Sequence, residues 1–128
     1  METSITRGIK ITVQPTYQPE QSQPEEDKFI FSYEILIENK SEFTVQLLRR
    51  HWYIFDSVGA KREVEGPGVI GEQPVLAPGE KFNYKSWCPL LSQMGCMKGT
   101  FLMVRKDNNE RFNVVVPQFQ MICPIVYN

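Results

Sequence analysis

Apolar and polar residues alternate with a period of two along most of this chain. Ile9, Ile11 and Val13 alternate with Lys10, Thr12 and Gln14, which predicts a first strand. Over residues 28–39, Phe29, Phe31, Tyr33, Ile35 and Ile37 fall on one face, with Ile30, Ser32, Glu34, Leu36 and Glu38 on the other. That is the clearest half-buried strand in the sequence. Residues 81–87 repeat the pattern, with Phe82 and Tyr84 set against Lys81, Asn83 and Lys85. Residues 97–105 and 111–116 flank Asp107-Asn108-Asn109-Glu110, which reads as a hairpin turn. Pro117 then ends its strand or sits on an edge. Residues 43–55 fit two patterns. Val45, Leu48, Trp52 and Phe55 make a helical stripe, but the β-branched and aromatic content favours a strand, as does the turn Asp56-Ser57-Val58-Gly59 leading into residues 60–64.

About seven short strands and no helix result, so the chain reads as all-β, closing as a sandwich or barrel. Phe29, Phe31, Tyr33, Ile35, Ile37, Phe82, Tyr84, Phe101 and Val115 are the expected core. The polar, proline-bearing stretch 15–27 reads as a loop. At 128 residues, 41% hydrophobic and 23% charged, the chain suits one ordinary domain spanning 1–128.

A net charge of −1 and a pI near 5.9 leave no surplus of cations for nucleic-acid binding. Arg49-Arg50 reads as a solvated strand face. No apolar run is long enough for a membrane helix. The N-terminus lacks a signal peptide's apolar stretch, and Cys88, Cys96 and Cys123 form an odd set. The expectation is free thiols in a reducing cytoplasm.

One segment carries a phosphate-site spacing. Gly66, Gly68 and Gly71 match GxGxxG. A dinucleotide site needs a helix to begin there, and Pro74 and Pro78 forbid a long one. Three readings stay open: a structural crossover between sheets, a partner-binding loop, or a nest of amides holding an anion such as pyrophosphate.

Three blocks of sequence resemble the ApaG family, also called CorD. They are Val45-Gln46-Leu47-Leu48-Arg49-Arg50-His51-Trp52, the run from Gly66 to Ser86, and Met97-Lys98-Gly99-Thr100-Phe101-Leu102-Met103. Their order and spacing cover nearly the whole chain and are similar to a stand-alone bacterial member. The resemblance implies a two-sheet antiparallel sandwich, fibronectin type III or immunoglobulin-like, with no established catalytic activity. Similar domains in eukaryotes are appended to an F-box protein and to a DNA-polymerase-interacting protein, which implies protein contact. In bacteria the name is tied to cobalt and magnesium tolerance. The chain departs from the family pattern between Ser86 and Met97. Trp87 stands where the family usually has glycine, and Ser92-Gln93 where Thr-Pro is common.

Other chemistry has less support. His51 is the only histidine and has no nucleophile motif around it, so it reads as structural. The cysteines lack zinc-site spacing, and with Met94 and Met97 they read as core filler. Glu25-Glu26-Asp27 reads as a solvated loop guarding a strand edge. Among Trp52, Tyr53, Trp87 and Tyr127, Trp52 is expected in the core and Trp87 as a contact.

The sequence therefore predicts a non-catalytic module that binds an unidentified protein. It implies no cofactor, metal site, nucleic acid or membrane, and a monomer or weak homodimer in the cytoplasm. The expected partner- or anion-binding residues are Gly66, Gly68, Gly71, Glu72, Gln73 and Trp87.

Overall fold

The computed structural model describes residues 1–124; Tyr127 lies outside them. Nine strands follow in order: β1 (Glu2–Thr6), β2 (Ile9–Tyr17), β3 (Phe29–Asn39), β4 (Val45–Asp56), β5 (Lys61–Pro67), β6 (Val75–Leu76), β7 (Lys81–Leu90), β8 (Met94–Arg105) and β9 (Arg111–Ile122). A single 3-10 turn, Pro24–Glu26, interrupts the expected loop. Sheet one has the order β1-β2-β3-β7 and sheet two β5-β4-β8-β9, with β6 pairing β4 beyond the end of β5. Every pairing between these strands is antiparallel. The two-sheet antiparallel sandwich is as the sequence implied; the strand count exceeds seven because β1 and β6 carry almost no alternation.

Each strand buries the face that its period dictates. Odd positions of β3 go inward, and Ile9, Ile11 and Val13 of β2 lie beside them with no exposure. Trp52 sits at the centre, edge-on to Tyr33, Phe101 and Phe119 with ring centroids 5.6–6.2 Å apart. Burying such rings is worth about 2–3 kcal/mol each before packing is counted.

Two bulges reset the alternation. In β4 the pairing with β8 slips between Leu47 and Arg49. Val45 and Leu47 are buried before it, Trp52 and Ile54 after it. The inward phase thus passes from odd to even, which is why this stretch resembled a helical stripe. In β9 the pairing with β8 slips between Gly99 and Met97, at Pro117 and Gln118. Val114 and Val116 are buried before this bulge, Phe119 and Met121 after it. Val115 was expected in the core, yet it is 51% exposed: three consecutive valines do not reveal which of them points inward. Pro117 lies within an edge strand, at the bulge, where its missing N–H costs no ladder bond.

The sandwich has two open sides. On one, β1 lies along β9: the Ser4 hydroxyl donates to the Val115 carbonyl at 2.7 Å, and the Val115 amide donates to Thr6 Oγ1 at 3.2 Å. Arg7 extends this seam, pairing with Glu110 at 2.7 Å over the ring of Phe112. On the other side β5 and β7 form the outer edges of their sheets, and Arg62 reaches across to the Pro89 carbonyl and the Cys88 sulfur. A cavity of about 320 Å3 opens there, walled by Ile54, Leu90, Leu91, Pro89 and Arg62 and by the acidic residues Glu26, Asp27 and Asp56.

Candidate functional site

The glycine segment is built on the bulge of β4. The bulge points the Leu48 carbonyl away from β8, where it accepts the Gly68 amide at 2.8 Å and the Gln73 side-chain amide at 3.0 Å. The Leu47 amide donates to the Pro74 carbonyl at 3.1 Å, and the Gln46 side chain to the Gln73 carbonyl at 3.0 Å. Arg50 shares the inward face with Trp52 and Ile54. Its Nη1 donates to the carbonyls of Pro67 and Gly68 at 3.0 and 3.1 Å. The solvated strand face expected for Arg49-Arg50 therefore holds for Arg49, which pairs with Glu65 at 3.6 Å, and not for Arg50. The even phase that follows the bulge is what brings Arg50 inside.

The tip is a two-residue turn. Val69 and Glu72 exchange backbone hydrogen bonds, both at 2.9 Å, around Ile70 (φ 44°) and Gly71 (φ 78°). Positive φ at both central residues is the signature of the tight hairpin turn favoured between antiparallel partners. Gly68 (φ 63°) has no room for a side chain, because a Cβ there would lie 2.3 Å from the Glu72 carbonyl oxygen. Gly66 is buried, and a Cβ on it would meet the Arg50 guanidinium at 3.2 Å. The amides of Gly68, Val69 and Glu72 thus all donate to carbonyls of the protein. Beyond Gly71 the chain enters β6 and no helix begins.

Of the six residues singled out from sequence, five lie in this turn and Trp87 lies elsewhere. Gly66 and Gly68 are buried. Gly71, Glu72 and Gln73 are exposed, with Gln73 pinned by its bond to Leu48. Trp87 is on β7 in sheet one, 49% exposed, with the Lys85 ammonium 5.2 Å from its ring centre. The turn also offers two apolar side chains that the sequence reading passed over: Ile70 at 54% and Val75 at 50% exposure. Their signal was present, since an isoleucine at a tight-turn position has nowhere to pack.

Beneath the turn lies a small polar cluster between the sheets. Burial pushes the phenols of Tyr33 and Tyr84 up, Tyr84 well above its usual value; the Arg50 charge opposes this only weakly. The Tyr84 hydroxyl is buried and has no hydrogen-bond partner among the described residues. Cys88 is buried as expected, and burial raises its thiol against the pull of Arg62, which leaves it a poor nucleophile. Cys123 and Met97 are also buried, whereas Cys96 is half-exposed and Met94 exposed. Trp52 is in the core.

His51 is on the outer face of sheet two, its Nε2 2.8 Å from Glu63 and its ring stacked on Tyr53 at 4.5 Å. Among the described residues no serine, cysteine or threonine is bonded to it. Among the described residues no group of three or more His, Cys, Asp or Glu side chains is arranged to hold a metal. No helix there is long and apolar enough to cross a membrane. Asp56, which the sequence places only in a turn, joins two hairpins: its carboxylate accepts from the Leu91 amide and the Ser92 hydroxyl.

The model of the ApaG domain matches residues 19–105, more than half of the chain. The chain belongs to the ApaG family. Protein ApaG of Bradyrhizobium diazoefficiens is 47% identical over 124 residues, covering 97% of this chain and 95% of the relative. Protein ApaG of Rhodospirillum centenum is 48% identical with the same coverage. A crystal structure of an ApaA protein from Bordetella pertussis superimposes with a TM-score of 0.88 at 40% identity, over 92% of this chain and 95% of that one. Both ApaG relatives are thus matched over nearly their full length.

Proposed function

We propose that this ApaG protein is a non-catalytic module that binds another protein through the turn at residues 66–78. The observation that carries this reading is the combination of a rigid base with an exposed apolar tip. Bonds to Leu47, Leu48 and Arg50 hold the turn, while Ile70, Glu72 and Val75 point to solvent. A preorganised loop loses little entropy on binding, and exposed aliphatic side chains supply the contact area. Glu72 forms no ion pair with the described residues and supplies a free charge for orientation. The anion reading has less support, because three of the amides that would form the nest already donate to the protein.

The module works in the cytoplasm with its thiols reduced. Its family's link to cobalt and magnesium tolerance runs through the bound partner rather than through metal ligation by this chain. The test compares proteins captured by the tagged chain with those captured by a variant carrying Ile70→Ser and Glu72→Ala. Gln73 is left intact because it anchors the turn. We expect at least one captured protein to be lost; an unchanged set overturns the loop as the contact.

A further inference from the structure

A two-sheet sandwich has four outer edges, and three of them are blunted here. β1 is five residues long and spends Ser4 and Thr6 on β9. β9 receives those bonds and is broken by Pro117 and its bulge. On β5 the ladder bonds fix which residues face out. The Asp56 amide bonds the Ala60 carbonyl, and the Gly68 amide bonds the Leu48 carbonyl. Even residues of β5 therefore face β4, leaving Lys61, Glu63, Glu65 and Pro67 on the outer edge. Pro67 has no N–H, Glu63 is held by His51, and Glu65 by Arg49.

The fourth edge, β7, is different. Ile30 in β3 directs its carbonyl to the Gln18 amide and its own amide to the Ser22 hydroxyl, so it faces away from β7. At the other end of the strand, the Asn39 amide bonds the Glu80 carbonyl. Alternation in an antiparallel ladder then sets the odd residues of β3 and the even residues of β7 against each other. Lys81, Asn83, Lys85, Trp87 and Pro89 hold their backbone groups toward the open edge. Arg62 takes the Pro89 carbonyl. The amides and carbonyls of Lys81, Asn83, Lys85 and Trp87 bond no residue among those described. This is the longest uncovered edge of the molecule, and it carries an exposed tryptophan.

We infer that the edge of β7 is a docking site for an extended, acidic segment of a partner protein, which adds to sheet one as a fifth strand. The charge at this edge selects the occupant. Lys85 has no carboxylate of the described residues within ion-pair distance and rests on Trp87, and Lys81 shares Glu38 with Lys10. Acidic side chains four residues apart on the added strand meet Lys81 and Lys85. An apolar side chain between Lys85 and Pro89 packs on Trp87. At the Pro89 end the strand runs to the mouth of the 320 Å3 cavity, whose Ile54, Leu90 and Leu91 receive an aliphatic side chain, while Glu26 and Asp27 on its wall disfavour an acidic one at that end. A second copy of the chain fits less well, because the register that pairs the whole of β7 with itself puts Lys85 opposite Lys85. This inference rests on the reading of the chain as a protein-binding module but uses a different surface from the 66–78 turn.

Hydrogen exchange distinguishes the two. The probe is a ten-residue peptide of alternating Val and Glu in which the Glu that falls opposite Trp87 is replaced by Leu, compared with its Val/Lys counterpart, on the full-length protein. We expect the Val/Glu peptide to slow exchange at the amides of Lys81, Asn83, Lys85 and Trp87 at least tenfold. Those of Phe82, Tyr84, Ser86 and Cys88, already held by β3, change little. Asn83→Pro removes one outward donor without touching the ladder to β3 and should weaken peptide binding at least tenfold. Lys85→Glu should reverse the preference between the two peptides. The inference is overturned if the outward amides stay unprotected, if protection appears only around residues 66–73, or if they are protected without peptide as protein concentration rises. Protection at the turn alone would sink the strand-addition site and still support the loop.

Discussion

Along one side of the sandwich β1 is bonded to β9 through two hydroxyls and an ion pair, while along the other the bonds between β5 and β7 among the described residues come from Arg62. The first side spends its polar groups within the molecule. The second keeps a cavity, an unpaired edge, a buried phenol without a partner and the exposed turn tip. The difference teaches where this fold can take on another chain. An edge already satisfied gains nothing from a partner, whereas an edge with free amides exchanges water for protein at little cost.

The largest effect should come from Gly68→Ala at the open side. Left-handed backbone and a 2.3 Å clash with the Glu72 carbonyl together cost about 3 kcal/mol, read as a lower urea midpoint. A loss under about 0.5 kcal/mol would mean that the turn is softer than described. At the sealed side, Ser4→Ala with Thr6→Val should cost about 1 kcal/mol and speed exchange at the Val115 amide. Unchanged exchange there would erase the contrast between the two sides.

Tyr84→Phe should be neutral or stabilise by up to about 1 kcal/mol, because the hydroxyl it removes is buried without a bond. Destabilisation would reveal a partner for that hydroxyl. The same residue sets an alkaline limit. The folded phenols of Tyr33 and Tyr84 titrate above their unfolded value, so the folded state holds their protons more tightly. Their contribution is fully present below about pH 10 and is lost as pH rises through the folded values. The Phe variant should flatten that decline in thermal melts. The smallest effect belongs to Asp107, whose carboxyl is held down by its bond to Arg105. Its support is present above the ordinary aspartate range and fades as pH falls through it. Because the pair is fully exposed, Asp107→Asn should leave the melting temperature nearly unchanged.

Much of the sheet structure was legible from period alone, β3 most clearly, because a strand with one face buried must alternate. The errors have local physical causes. β2 continues past Pro15, where the sequence reading started a loop. β1 covers only Ile9–Val13, so from Gln14 onward β2 has a free side, and Pro15 turns its missing N–H there. Val115 was assigned inward because Val114, Val115 and Val116 are alike in everything but phase. At the candidate site, GxGxxG correctly marked tight backbone, since positive φ and close approach leave a sequence trace. Nothing in composition announced that Arg50 faces inward or that Asp56 links two hairpins, because both follow from which strands become neighbours. Trp87 was expected to be exposed and is, but its place on an open edge emerges only from the order of strands.

The bulge at Leu48 has a consequence for how this fold tolerates change. A chain lacking that one residue would keep every side chain needed for the core. Val45, Leu47, Arg50, Trp52 and Ile54 would still face inward, now in unbroken alternation, but the carbonyl that accepts the Gly68 and Gln73 amides would be gone. The residue whose side chain the interior does not need is thus the one that seats the 66–78 turn: losing it regularises β4 and releases the glycine segment.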